Sequence, residues 1–200
     1  MNLIQRAKNI LVTPKTEWNV VAGETASIGS LATGYVLPLS LIPAIAGFLG
    51  TMFFAGVFWG IGYGIAMAVL SIVGSILAFV IGSYIVDALA PSFKSEKNIG
   101  ASAQLMAYSA TAIWVAGILS LIPILGWLAA LAGAAYAIYL MYLGLGPVKK
   151  TPEDQRVLYV IVAIVIYWVI YAVIVMFIGA MIVGAIFMGG ASMLRGAAGY

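Results

Sequence analysis

Asp87 is the residue whose type and position most invite chemistry. It stands at the end of a long apolar run, four residues before Pro91. An ionisable group at membrane depth marks an ion or proton path by default, because burying its charge is costly. A relay also needs a second polar group deep in a neighbouring segment, and Tyr108, Ser109 and Thr111 supply only neutral ones. The competing reading is an interfacial acid that meets water or pairs with Lys94 or Lys97. Glu17 and Glu24 are seven residues apart, so they share a face if the segment stays helical. They can bind a basic partner or simply solvate a surface helix.

Most enzyme chemistries lack their parts. The chain has no Cys and no His, which removes thiolate nucleophiles, His-based catalytic pairs and zinc sites of the usual kind. An intramembrane aspartyl pair needs two acids at depth, and only Asp87 qualifies. Glu153 and Asp154 are adjacent and are better explained as acids at a helix start. A glycine loop with its phosphate-binding Lys is absent. A Ser–Lys pair needs a Lys inside a span, and none is expected there. No cofactor, metal or nucleic-acid partner is expected.

The elements that position these residues follow from composition. Of the 200 residues, 64% are hydrophobic and 8% charged, with a mean hydropathy of +1.16. Soluble domains are about 25% charged, and a small soluble fold could not hide this much apolar surface. The charges fall in clusters that leave Thr25–Val86, Asn98–Val148 and Val157–Leu194 free of them. A span takes about 20 residues, so the first two stretches each hold two spans and the third holds one. The expected spans are Leu31–Gly50, Tyr63–Leu89, Ala101–Leu121, Trp127–Leu145 and Leu158 to about Met188. Thr51–Gly62 connects the first pair, and Pro123 with Gly126 turns the second. Thr151 and Pro152 start the fifth helix.

Every Lys and Arg except Arg195 then lies on one side, which the positive-inside rule places in the cytoplasm. Met1–Val12 carries too short an apolar run for a secretory signal, interrupted by Gln5, Lys8 and Asn9. Leu3, Ile4, Ala7, Ile10 and Leu11 follow helical spacing, which predicts a short amphipathic helix on the membrane surface. Pro14 starts another, and Trp18 suits the headgroup layer. The fold class is thus an all-α integral membrane protein with five transmembrane helices, N-terminus cytoplasmic and C-terminus outside. Its parts are an interfacial segment 1–26, a membrane domain 27–190 and a tail 191–200.

Helices in lipid associate through close packing and polar contacts. Gly74, Ala78 and Gly82, with Ser71 and Ser75 beside them, form a small-residue face on the second span. Ala129, Gly133 and Ala137 do so on the fourth, and Ala180 and Gly184 on the fifth. These faces serve packing within the bundle or a homo-oligomer. Tyr136, Tyr139 and Tyr142 form an aromatic stripe suited to packing or an interface belt. Pro38 and Pro43 kink the first span, for gating or for packing. Ser40–Pro43 and Ser120–Pro123 repeat the same four residues, in a span and at a turn respectively, and read as coincidence.

Several segments taken together resemble one family. Thr13–Trp18, Glu24, Gly34–Pro38, Asp87–Pro91 with Phe93, Ala107–Thr111, Leu121–Pro123, and Tyr142–Gly144 through Lys150–Asp154 are similar to the prokaryotic branch of the Yip (Ypt/Rab-interacting protein) domain family. The resemblance covers roughly Leu3 to Ile186. It implies a five-span protein with a cytoplasmic N-terminus. Eukaryotic members bind Rab-type GTPases in vesicle traffic through a long cytoplasmic region with an Asp-Leu-x-Gly-Pro motif. That motif is missing here, so the role does not carry over, and no family activity transfers residue by residue.

The expected function is a non-enzymatic protein of the inner (plasma) membrane that organises the bilayer or binds a cytoplasmic protein at its N-terminal segment. The rival is a small transporter or channel using Asp87. Candidate functional residues are Asp87, Glu17, Trp18, Glu24 and Tyr108.

Overall fold

A computed structural model describes residues 2–170, 172–173 and 176. The described residues are helical with no strand. Four helices among them are long and apolar enough to cross a bilayer. Residues 1–163 form one compact unit and 164–200 a second. Of the second, residues 164–170, 172–173 and 176 are helical. The expected fifth span extends beyond the described residues, and Ala180 and Gly184 lie outside them.

Helix α1 (Leu3–Val12) opens with Asn2 as its N-cap, the side chain accepting from the Ile4 amide. Helix α2 (Pro14–Ala22) begins at Pro14 and stops at Gly23, so Glu24 lies beyond the helix that carries Glu17. The two pack on the bundle, α1 against residues 99–116 and α2 against residues 123–149. Of the expected apolar face of α1, Ala7 and Ile10 are buried, Leu3 and Leu11 half-buried and Ile4 exposed, with Arg6 added to the buried side. Val12 is exposed. Trp18 is fully buried within the protein.

Helix α3 (residues 28–55) starts at a capping box between Ser27 and Ser30. Its segment Ala32–Val36 is a π turn closed by the Leu37 amide on the Ala32 carbonyl. The cause is Pro38, which lacks an N–H and whose ring crowds the carbonyl four residues back. Widening the turn relieves that clash. Pro43 stays inside the helix and meets Gly117, where an added Cβ would lie 2.6 Å from the proline Cβ. Both prolines are accommodated by packing.

The predicted connection Thr51–Gly62 is helical almost throughout. Helix α4 (Val57–Leu89) follows α3 after Gly56 alone, whose φ of +75° only glycine adopts readily. A turn this tight is possible because Gly60 sits against Thr51 and Met52, and Gly64 against Phe48. At 33 residues, α4 is about 50 Å long, well beyond the ~30 Å hydrocarbon layer. A 3-10 turn at Ala90–Phe93 then ends it at Pro91.

Helix α5 (Ile99–Leu121) is N-capped by Asn98 and finishes as a 3-10 turn from Gly117. Helix α6 (Pro123–Lys149) continues past the expected span end at Leu145, with Gly144, Gly146 and Pro147 inside it. Burial against its neighbours overrides weak local propensity there. Helix α7 begins at residue 153.

Close approach identifies which glycines pack. A Cβ on Gly133 would meet the Ala112 carbonyl at 3.0 Å and the Ala116 Cβ at 3.0 Å. On Gly144 it would strike Leu105 at 2.5 Å and the Trp18 ring at 2.9 Å, and on Gly82 the Met106 methyl at 2.3 Å. Among the described residues nothing lies within 4 Å of a Cβ on Gly74, and Ala78 is half-buried.

These contacts separate two substitutions. Gly133→Leu should destabilise the purified protein by about 1–3 kcal/mol through overpacking. Gly74→Leu should stay within about 0.5 kcal/mol. Thermal unfolding in detergent checks both, and equal effects would refute the packing assignment.

Candidate functional site

The charged ends of the helices meet in two buried clusters. The first is built on Arg6. Its Nη1 donates to Glu17 Oε1 at 2.6 Å, and its Nη2 to both Glu24 carboxylate oxygens at 2.5 Å. Asn9 adds a bond from its amide to Glu17 Oε2 at 2.9 Å. Arg6 and Glu17 are both 4% exposed. Burial works against the Arg6 charge, but the Glu24 hydrogen bond and the neighbouring carboxylates outweigh it and raise its pKa above the ordinary value. Arg6 also lies over the Tyr108 ring at 5.2 Å, an attraction between cation and ring face.

Aromatic rings continue this cluster inward. Tyr108 meets Tyr35 edge to face at 4.8 Å and Trp18 at 6.3 Å. The Tyr35 hydroxyl bonds Thr111 Oγ1 at 2.7 Å. Gln104 Nε2 donates to the Glu24 carbonyl at 3.1 Å, which ties the loop after α2 to α5. Tyr136 of the expected aromatic stripe donates to the Leu11 carbonyl at 2.7 Å, pinning α1 to α6. Beside Arg6 opens a cleft of about 470 Å³ lined by Glu24, Ser30, Gly34, Tyr35 and Tyr108 among others.

The second cluster is built on Lys149, whose side chain has no exposed surface. Its Nζ approaches Ser102 Oγ at 2.7 Å, the Asn98 carbonyl at 3.3 Å and Asp87 Oδ1 at 3.4 Å. Ser102 Oγ in turn reaches Asp87 Oδ1 at 3.1 Å and the Asn98 carbonyl at 3.0 Å. The C-terminus of α6 is held from outside. Its Lys149 carbonyl accepts from the Glu96 amide and from Ser95 Oγ, each at 2.9 Å. Lys150 and Glu96 form an exposed ion pair at 2.7 Å. Tyr159 donates to the Val86 carbonyl and stacks on Phe93 at 4.6 Å.

Asp87 therefore pairs with Lys149, not with Lys94 or Lys97. A Lys does lie at the end of a span and touches a Ser, contrary to expectation, yet the geometry is not that of a Ser–Lys nucleophile. A lysine ammonium has three N–H donors, and the three acceptors around Nζ use all of them. Ser102 is itself fully buried. Glu17 and Glu24 are drawn together, but by Arg6 and not by a shared helix face, so Glu17 is closed to any basic partner.

Of the five candidate residues, Glu17, Trp18, Glu24 and Tyr108 gather around Arg6, while Asp87 belongs to the Lys149 cluster. Sequence reasoning missed Arg6, Lys149, Ser102 and Gln104. A usable signal existed for Arg6, which shares the spacing of Ala7 and Ile10. None existed for Lys149, which looks like the first of two loop lysines. Among the described residues no group of three or more acids could hold a metal. Two buried polar atoms, Trp18 Nε1 and Ser109 Oγ, have no hydrogen-bond partner.

Comparison with known proteins adds a family. The Yip1 domain model matches residues 8–174. The chain is 27% identical over 145 residues to a protein called Inner membrane protein YohC in Escherichia coli K12, covering 66% of this chain and 72% of the relative. The same protein from E. coli O6:H1 (CFT073) matches with the same figures. No solved structure matches the chain.

Removing one partner of a buried ion pair leaves the other uncompensated, at a cost of about 3–5 kcal/mol. Asp87→Asn and Lys149→Met should each lower stability by an amount of that order. The double variant should lose clearly less than the sum. Additive losses in thermal unfolding would mean that the two groups do not act as a pair.

Proposed function

The chain belongs to the Yip1 domain family, and from that premise we propose that it is a non-enzymatic inner-membrane protein that organises the bilayer or binds a partner through its N-terminal segment. The membrane domain comprises five spans over residues 27–190, with a short tail at 191–200, the N-terminus in the cytoplasm and the C-terminus outside. The name of the E. coli relatives supports the inner membrane. The charge distribution supports the orientation, since all Lys and Arg except Arg195 fall on one side.

One observation carries the non-transport reading. Asp87, the acid closest to membrane depth, is neutralised by Lys149 and bonded by Ser102. A proton or ion relay uses a carboxylate free to exchange its partner, and this one is held in a closed cluster.

The binding surface assigned to the N-terminal segment differs from the one its acids suggest. Glu17 is turned inward. The outward residues of α1 and α2 include Ile4, Lys8, Val12, Lys15 and Val20, with Gln5, Thr16 and Asn19 among them, a face that is basic, apolar and in part neutral polar. Such a face suits an acidic partner protein or an anionic leaflet. Deleting residues 1–12 would remove Arg6 and leave Glu17 without its partner, so the informative variant is at the surface.

K8E/K15E should fold with wild-type thermal stability and lose proteins that co-purify after crosslinking in membranes. An unchanged set of crosslinked proteins would sink the partner-binding reading. A reporter fused after Tyr200 should be active only outside the cytoplasm; cytoplasmic activity would overturn the five-span topology.

A further inference from the structure

The cleft beside Arg6 is assigned no role by the packing or by the N-terminal surface. We infer that it holds the headgroup of a zwitterionic aminophospholipid, with Arg6 and Tyr108 taking the phosphodiester and Glu24 the primary ammonium. This stands whether or not the segment also recruits a protein.

Its position spans the right depth. Glu24 and Ser30 line it near the charged end of α3, while Tyr35 and Tyr108 lie further along α3 and α5. At 1.5 Å per residue from Ile28 and Ile99, those rings are roughly 10–14 Å in from the helix starts. The cleft thus runs from headgroup level towards the acyl layer. Its volume of about 470 Å³ is within the usual range for small-ligand sites.

Its charge selects a ligand that carries both signs. Arg6, Glu17 and Glu24 sum to one net negative charge, so an anion alone meets Glu24 and a cation alone meets Arg6. A guanidinium has five N–H donors, and the bonds to Glu17 and Glu24 use at most three. The remainder can serve a phosphate oxygen. The Glu24 side chain keeps 38% of its surface exposed, enough to accept from an ammonium.

Two further features point to an occupant. Tyr108 is 6% exposed and lines the cleft, yet its hydroxyl makes no hydrogen bond, unlike that of its neighbour Tyr35. Its oxygen is not among the buried unpaired atoms, so it is open to the cleft. Gly34 also lines the cleft, within the π turn, and a Cβ there meets nothing within 4 Å. The cleft is therefore open space bounded by glycine, in a type of turn that recurs at functional sites.

The test uses the purified full chain in detergent, titrated with phosphatidylethanolamine, phosphatidylglycerol, phosphatidylcholine or free O-phosphoethanolamine. Thermal unfolding reads stabilisation, and native mass spectrometry reads the bound lipid. Phosphatidylethanolamine should raise the unfolding temperature saturably, and the others should not match it. Tyr108→Phe keeps the ring contacts and should leave the lipid-free unfolding temperature unchanged while weakening half-saturation roughly tenfold. Gly34→Leu should fill the cleft and abolish the response. Equal stabilisation by phosphatidylglycerol or phosphatidylcholine overturns the assignment, as does an unchanged response in Tyr108→Phe. Equal action of free O-phosphoethanolamine overturns the lipid as its source.

Discussion

Charge withdrawn from water must be matched, and that requirement organises the polar end of this bundle. An ion buried alone costs several kcal/mol even after relaxation. The protein buries two cations, Arg6 and Lys149, and surrounds each with acceptors. Matching Arg6 brings Glu17 and Glu24 to it and so folds α1, α2 and the loop after them into one corner. Matching Lys149 joins the end of α4, the start of α5 and the end of α6 through Asp87, Ser102 and Asn98. The N-terminal segment is consequently part of the packed unit.

The apolar body obeys a different constraint. Leucine and lipid tails are equally apolar, so helices gain little from simple burial and must fit closely. Gly60 and Gly64 let α3 and α4 meet across the single residue Gly56, and Gly133 and Gly144 let α6 approach α5 and α2. The π turn before Pro38 serves the same fit, because it absorbs a missing donor without breaking the helix. That turn also widens α3 at Gly34, where the cleft beside Arg6 lies open. Packing demands and the shape of the cleft thus have a common origin.

Much of the fold was legible in the sequence and much of the site was not. Long apolar stretches bounded by charges announce membrane helices, and the starts at Pro14 and near residue 153 follow from local capping chemistry. Spacing of small residues was a weaker guide. Gly74 and Gly82 share a face on paper, yet among the described residues Gly82 packs against Met106 and Gly74 is open, since a small residue packs only where a neighbour arrives. Trp18 was read by its average preference for interfaces, whereas its actual place was decided by Tyr108 and Gly144 around it.

The sequence by itself determined the class, the described spans and the end of the molecule at which charge collects. Those properties are sums over neighbouring residues along a line, and hydropathy and charge position are enough to compute them. Only the tertiary structure decided which charges meet. Asp87 and Lys149 are 62 residues apart, and Gln104 and the Glu24 carbonyl 80. No local pattern specifies such pairs, because they depend on the rotation and stagger of whole helices. Those are set by side-chain fit across the bundle.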